Sequence, residues 1–352
     1  MYMNTTSKTN ISSPLPSGGA GGRLSVGVLG AAGYTGGELI RVLLGHPEAE
    51  IVFANSESNA GNLVSDVHEG LLGDTDLRFT ADLPFDQVDV VFFCFGHGKS
   101  RAFLEEHAIP DHVKIIDLAQ DFRVDGTFVA PDGQRRRDFV YGLPEARRSQ
   151  IMQADNIANP GCFATCIQLG LLPAAKLGLL THDVSVNAIT GSTGAGQKPS
   201  ATTHYSWRAD NMSIYKPFEH QHVPEIRRTL KMLQGRLDCD IDFIPYRGSF
   251  ARGIFATMVI TTNTVEDVIV DAYREYYSHE PFTHYSERPI DLKQVVNTNK
   301  AVVHCEKHGR KLLVTTAIDN LLKGAVGQAV ENMNLLFGLP EDTGLRLKAS
   351  AF

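Results

Sequence analysis

Long apolar runs are missing from this chain; no stretch has the length that a bilayer asks of a spanning helix. No partnership with a membrane is expected. Cysteine is scarce. The five present, Cys94, Cys162, Cys166, Cys239 and Cys305, are odd in number and scattered, which argues against a disulfide framework and for a reducing, cytoplasmic setting. Positive charge is not in excess: the net charge is -7. That argues against a general nucleic-acid binder and leaves a small anionic substrate open. Met1 to Gly22 lack the apolar core of a secretory signal. Rich in Ser, Thr, Asn, Gly and Pro, residues 1–23 are expected to form a disordered arm outside the fold. No internal repeat is present. What is there is ordinary for a globular protein: 352 residues, 43% of them hydrophobic, enough for a sizeable core and, by length, two domains.

In the first half, Leu24 to Leu29 reads as a strand. Gly30-Ala31-Ala32-Gly33-Tyr34-Thr35-Gly36 follows at once, and Glu38 to Leu44 has helical spacing that stops at Gly45-His46-Pro47. Strand, glycine loop and helix in that order predict a dinucleotide site, here in the variant spacing G-x-x-G-x-x-G. Glycines let the backbone approach a pyrophosphate, and a helix N-terminus supplies N–H donors to it. A second strand, Ala49 to Asn55, ends in Ser56-Glu57-Ser58-Asn59-Ala60-Gly61, where an adenosine ribose would lie. The hydroxyls of Ser56 and Ser58 favour a 2′-phosphate and so NADP; Glu57 points the other way unless its side chain turns out. The apolar runs Val88 to Phe95 and Val113 to Leu118 suit parallel strands covered on both faces. Repeated strand–helix units predict a doubly wound parallel sheet. Loops at the carboxyl ends of its strands, Gly96 to Ser100 and Ala119 to Arg123, should face the ligand. His97 reads as a solvated loop histidine or a site residue, and Arg135-Arg136-Arg137 as a solvated surface.

The second half is organised around Asn159-Pro160-Gly161-Cys162-Phe163-Ala164-Thr165-Cys166. Pro160 fixes one φ angle and Gly161 permits conformations that other residues resist. A sharp turn into a helix start would place Cys162 where unpaired N–H groups and the helix dipole stabilise a thiolate. A buried structural cysteine is the alternative. A helix to Leu180 and a strand, Val184 to Thr190, should follow. Gly191 to Pro199 is then either a loop that closes over substrate, with Ser192 or Lys198 as anion contacts, or a plain connector. Tyr215 to Ile226 is dense in chemically able side chains. If extended, it sends His220 and His222 to opposite sides, so that one of them faces the thiol, holds the thiolate as an ion pair and shuttles a proton. Glu225 could orient that histidine. A zinc site of Cys162, Cys166, His220 and His222 is the rival, on a spacing unfamiliar for zinc; no metal is expected. Strand-like runs at Ile241 to Ile244, Ile254 to Thr262 and Lys311 to Ile318 predict an α+β domain on a mostly antiparallel or mixed sheet. Asp319 to Phe337 reads as an amphipathic helix with a Gly and Pro stop.

From about Leu24 to Leu339 these motifs, with Ile116 to Arg123, Tyr141-Gly142-Leu143-Pro144-Glu145 and His220 to Ile226 among the most specific, resemble the N-acetyl-γ-glutamyl-phosphate reductases of arginine biosynthesis, within the aspartate-semialdehyde dehydrogenase-like superfamily. The resemblance implies a Rossmann-type NADP-binding domain of residues 24–161 and 320–352, with the C-terminal helix returning to it. It also implies a catalytic and dimerisation domain of residues 162–319, and subunits that associate as homodimers or homotetramers. Cys162 would attack the acyl phosphate, phosphate would leave, and NADPH would reduce the thioester to a semialdehyde. His220, which matches the family's catalytic histidine, would return a proton. By the same resemblance Gly30, Gly33, Tyr34, Thr35 and Gly36 hold the pyrophosphate, Ser56 and Ser58 lie near the ribose phosphate, and Asn320 lies near the nicotinamide. Asn159, Arg123, Lys198 and Arg252 become candidate contacts for substrate phosphate or carboxylate. Cys166 departs from the family, which usually has Gly or Ala there, and so does Glu57, where many members carry a basic residue. The related reductase of lysine biosynthesis, acting on a carrier-bound aminoadipate acyl phosphate, is the alternative, as is a catalytically silent NADP-binding regulator.

Overall fold

Residues 22–350 are described by the computed structural model; residues 1–21, nearly all of the expected arm, lie outside the described residues. Among the described residues the first sheet has eight strands: β1 (Leu24–Leu29), β2 (Ala49–Asn55), β3 (Phe79–Thr80), β4 (Val90–Phe93), β5 (Lys114–Asp117), β6 (Thr127–Val129), β7 (Arg136–Tyr141) and β8 (Asn156–Ala158). They lie in the order β3-β2-β1-β4-β5-β8-β7-β6, and every pairing is parallel except β6 with β7. Helices α1 (Tyr34–Leu44), α2 (Lys99–Glu106) and α3 (Pro144–Ile151) belong to this half. Alternate side chains of β4 go to opposite faces. Val90 and Phe92 enter the core beneath α1, whereas Val91 and Phe93 enter a second core beneath α2. Two covered faces explain why these strands read as unbroken apolar runs.

The second sheet contains β9 (Val184–Thr190), β10 (Ser213–Ile214), β11 (Ile241–Arg247), β12 (Ile254–Thr261), β13 (Thr283–Tyr285), β14 (Ala301–His308) and β15 (Lys311–Ile318), in the order β10-β11-β9-β12-β15-β14-β13. It is mixed: β9 with β11 and β13 with β14 are parallel, the other pairs antiparallel. One face is buried beneath α4 (Cys162–Lys176), α6 (Val223–Gln234) and α7 (Glu266–Tyr277). Strict alternation along β12 leaves the opposite face, with Phe255 and Val259, half-buried. A short helix, α5 (Tyr205–Arg208), lies between β9 and β10.

After β15 the chain returns to the first core. A π-helical turn, Leu322–Val326, leads into α8 (Gly327–Leu336). The expected amphipathic helix is corrected here, because every residue of α8 is buried. Its polar side chains face protein instead of water. Gln328 donates to Thr165 Oγ1 at 3.0 Å, and Asn332 donates to Gly142 O at 2.9 Å and to Asn159 Oδ1 at 3.0 Å. Lys323 is fully buried between Glu145 Oε1 at 2.8 Å and Glu331 at 2.8 and 3.0 Å. Burial alone would raise Glu145, but Lys323 outweighs it and holds the carboxyl below its usual range; burial pushes Glu331 well above it. One carboxylate thus balances the one ammonium. Lys323→Met leaves that carboxylate uncompensated and should cost about 3–5 kcal/mol, read as a lower urea midpoint with an unchanged m-value.

Three arginines make further ties. Arg252 spans the halves, with Nη2 2.6 Å from Glu38 on α1 and Nε 2.9 Å from Asp319 at the end of β15. The run Arg135 to Arg137 is not simply a solvated surface. Arg135 donates to the carbonyls of Leu104, Glu105 and His107 at the C-terminus of α2, where a cation suits the helix dipole. Arg137 ties β7 to Ile109, Pro110, Val113 and Asn156.

Candidate active site

Cys162 is the first residue of α4 and is half-buried. Gly161 before it has an ordinary extended conformation, φ -72° and ψ 153°. Glycine is required for close approach, not for its φ: a Cβ there would lie 2.1 Å from His222 Cε1 and 2.7 Å from Arg123 Nη1. The π-helical turn presses from the other side, where a Cβ on Gly324 would lie 2.9 Å from that of Cys162. The nucleophile is thus set at a helix start, whose first N–H groups have no partner within the helix, and is held between two glycines.

His222 immediately precedes α6, and Glu225 is in that helix's first turn. Nδ1 of His222 lies 2.5 Å from Glu225 Oε1, and the ring is near enough to Cys162 for the thiol to favour its protonated form. With Nδ1 engaged by the carboxylate, Nε2 is left for the sulfur. Glu225 accepts from Tyr141 Oη at 2.8 Å and from Gly161 N at 3.2 Å, and Arg123 Nη1 stands 3.6 Å away. Burial opposes its charge, but Arg123 and His222 outweigh burial and hold the carboxyl at about 2. Burial likewise opposes charge on His222, but Glu225 and the thiol raise it to about 9. His220 has different surroundings. It is 3% exposed and ringed by Phe163, Tyr215 and Phe243, with centroids at 5.4, 5.6 and 5.2 Å. Its Nδ1 accepts from the His222 backbone N–H at 3.3 Å. Burial, then the charge of His222, lower it to about 3. The expectation that His220 faces the thiol is therefore corrected: His222 does, oriented by Glu225.

The thiol opens into a cavity of about 540 Å³ that also reaches the loop after β1. Gly33, Thr35, Cys162 and Asn320 line it. Gly30 has φ 70°, in the left-handed region, and a Cβ there would lie 2.7 Å from Cys94 O. A Cβ on Gly36 would lie 2.6 Å from Ala31. These glycines keep the loop pressed to the sheet, with the first turn of α1 beside the cavity. Such a cradle fits the pyrophosphate of a dinucleotide.

A semialdehyde dehydrogenase NAD binding domain model matches residues 25–154, and a semialdehyde dehydrogenase dimerisation domain model matches residues 162–320. The N-acetyl-gamma-glutamyl-phosphate reductase of Bacteroides thetaiotaomicron is 61% identical over 94% of this chain and 100% of its own. The chain belongs to the N-acetyl-gamma-glutamyl-phosphate reductase family. A reductase of the same name from Flavobacterium johnsoniae is 51% identical over the same shares. Among solved structures, aspartate semialdehyde dehydrogenase II of Vibrio cholerae, complexed with ASA, gives a TM-score of 0.69 at 16% identity, covering 89% of this chain and 98% of its own. That likeness is one of fold.

In this reductase-family chain the other expected site residues divide. Ser56 is buried and Ser58 exposed, and both accept from Asn59 Nδ2 at 3.1 Å; Glu57 is exposed. Arg78, just before β3, donates to Gly61 O at 2.8 Å on the same loop. It lies seventeen positions on in sequence, at the entry to the next short strand. Asn320 donates to Thr193 Oγ1 at 3.0 Å and accepts from Gly253 N at 2.6 Å. Asn159 lines the cavity, but its amide is taken by Ala325 O and Asn332, so it braces the loop before Cys162. Arg123 also lines it, with Nε and Nη2 committed to Asn159 O and Leu118 O and Nη1 buried without a hydrogen-bond partner. Two expected substrate anchors stand apart from the cavity lining. Arg252 is neutralised by Glu38 and Asp319, and Lys198 is exposed outside the cavity lining. His97 lines the cavity although it is exposed. Cys166 is fully buried, directed at Thr316 O, and burial pushes its thiol well up. Cys94, Cys239 and Cys305 are buried and raised in the same way. Iodoacetamide should therefore label the native chain once, at Cys162, and all five cysteines after denaturation, as counted by intact mass.

Proposed function

We propose that this chain catalyses the NADPH-dependent reduction of N-acetyl-γ-glutamyl phosphate to N-acetylglutamate 5-semialdehyde and phosphate in arginine biosynthesis. The observation that carries the reading is the single cavity shared by the glycine loop and by the Cys162–His222–Glu225 array. Cys162 Sγ attacks the acyl carbon, the bond from that carbon to the phosphate oxygen breaks, and a thioester remains. N–H groups of the first turn of α4 meet the charge that develops on the carbonyl oxygen. When bound, NADPH supplies the hydride that reduces the thioester carbonyl. As the thiohemiacetal collapses, the C–S bond breaks, the aldehyde carbonyl forms, and His222 meets the departing sulfur with its Nε2 proton. Glu225 keeps the imidazole charged and oriented for both steps.

The dinucleotide site uses residues 24–161 with the returning segment 320–352, and the chemistry uses residues 162–319. Gly30, Gly33, Tyr34, Thr35 and Gly36 would hold the pyrophosphate, and Ser56 and Ser58 the ribose phosphate. Arg78 supplies the cation that the loop 56–61 lacks. Arg78→Ala should raise the KM for NADPH about tenfold and leave that for NADH nearly unchanged. The half-buried outer face of the second sheet supports association of subunits as homodimers or homotetramers, and the five free cysteines support a reducing, cytoplasmic setting.

The test is the reverse reaction, with NADP⁺, inorganic phosphate and N-acetylglutamate semialdehyde. Phosphate-dependent gain of NADPH absorbance with this compound, and none with the aminoadipate or aspartate semialdehydes, is the expected result. Preference for either of the others would overturn the substrate assignment.

A further inference from the structure

Several buried or half-buried guanidiniums in this chain are paired with carboxylates. Arg252 has Glu38 and Asp319, Arg148 has Glu280 and Glu341, and Arg123 faces Glu225. Arg208 and Arg247 are different. Arg208 ends α5 and is 8% exposed, yet no carboxylate pairs with it among the described residues. Its Nη2 reaches Thr190 O at 3.2 Å, and its Nε is buried without a partner. Arg247 ends β11 with its guanidinium 4.1 Å from the ring centroid of Tyr215. It makes only long contacts, 3.4 Å each, to Ser213 Oγ and Ile214 O, and it too lacks a carboxylate among the described residues. Each is close enough to Tyr215 to influence it, and Arg208 feels the like charge of Arg247. Both line the cavity that holds Cys162.

Two cations brought together with no counter-charge are costly to bury, and an anion entering the cavity removes that cost. The planar fork of arginine suits the two oxygens of a carboxylate. The segment that carries Tyr215 is held by three non-glycine residues with left-handed backbone, Asp210 at φ 51°, Lys216 at φ 44° and Phe218 at φ 64°. Strain of this kind gathers at ligand clamps.

The geometry points to Arg208 and Arg247 as the pair that binds the substrate's carboxylate and so sets which acyl phosphates enter. The inference rests on the reaction proposed above, whose substrate carries two anionic groups. Its phosphate is bonded to the carbon that Cys162 attacks and must lie beside the sulfur at the start of α4. Its carboxylate lies several bonds away. Tyr215 lies under the Arg247 guanidinium and lines the same cavity as Cys162 and both arginines, so the pair faces the space into which the sulfur opens. That position suits the far end of the substrate. Tyr215 would flank the carbon chain between the two ends.

The reverse assay separates the anions because phosphate and semialdehyde are independent substrates there. Arg208→Gln and Arg247→Gln should each raise the KM for N-acetylglutamate semialdehyde about tenfold to a hundredfold, with the KM for phosphate and for NADP⁺ within about threefold of the parent. Arg247→Lys keeps the charge and loses the fork, and should fall between. Melting temperatures within a few degrees of the parent show that the variants fold. A rise in the KM for phosphate with that for semialdehyde unchanged would overturn the assignment, as would no change in either. Lack of any turnover by the parent chain would count against the proposed reaction, and a turnover-free readout then decides the site. N-acetylglutamate should slow iodoacetamide labelling of Cys162 in the parent and fail to do so in Arg208→Gln. Equal protection in both, or none in the parent, would end the proposal.

Discussion

Serine in place of Cys162 lowers phosphate-dependent turnover by about 10⁴-fold or more, on the scale seen when a covalent nucleophile is removed. The reason is chemical. A hydroxyl is a weaker nucleophile near neutral pH than a sulfur met by an imidazolium, and an oxygen ester is a poorer acyl donor to hydride than a thioester. The substitution changes one atom at a position already bounded by Gly161 and Gly324, so it introduces no added bulk. NADPH affinity should stay within a few-fold, because the glycine loop after β1 is untouched; nucleotide fluorescence on titration measures it. Full turnover by the serine variant would remove the covalent step. In the parent, acid quenching during turnover should trap one acyl group per chain on the tryptic peptide that contains Cys162.

His222→Asn should lower turnover by roughly 10²–10⁴-fold, and His220→Asn by much less. The first removes the group between Glu225 and the sulfur; the second removes one ring from an aromatic box. A larger loss at His220 would reverse the assignment. The pH profile adds an independent check. His222 is raised to about 9 against an ordinary value of 6.5, so turnover that depends on its proton should fall as pH rises through about 9. Asparagine at 222 should abolish that alkaline limb. The stability linked to the same group has the same sign: present in full below the unfolded value, it is lost as pH rises through about 9. Glu225 is displaced the other way, to about 2. Its contribution is present above the ordinary carboxyl range and is lost only as pH falls toward 2.

The choice between the two histidines shows where reading a sequence stops. Alternation applies to an extended strand, and His220 to His222 is a turn that leads into α6, with Val223 N donating to His220 O at 3.0 Å. Both rings therefore sit on the same side of the problem, 4.8 Å apart, and only their partners distinguish them. Strands read from periodicity fared well where the pattern was long. Leu24–Leu29, Ala49–Asn55, Val184–Thr190 and Lys311–Ile318 fall where expected, and Ile254–Thr261 ends one residue early. Ala301–His308 was overlooked, because its polar end, Glu306 to His308, hides the pattern of a strand paired along its whole length with β15. Arg252 and Lys198 show the complementary limit. A basic residue near a glycine loop looks the same in sequence whether it grips a ligand, braces two carboxylates or faces water. Pairing depends on which acidic groups the fold brings close, and those lie up to 214 positions away.

The return of α8 to the first core has a cost in time. Its apolar side chains, Ala329, Val330 and Met333 among them, complete the cluster that β1, β4 and α1 begin. A ribosome that has just finished β8 must still add about 170 residues before that helix exists, which at about 5–20 residues per second takes roughly 10–35 s. Through that interval the nascent first half carries an open apolar face. Chaperone occupancy during synthesis should accordingly peak while the second sheet is being translated and fall once Leu336 clears the exit tunnel.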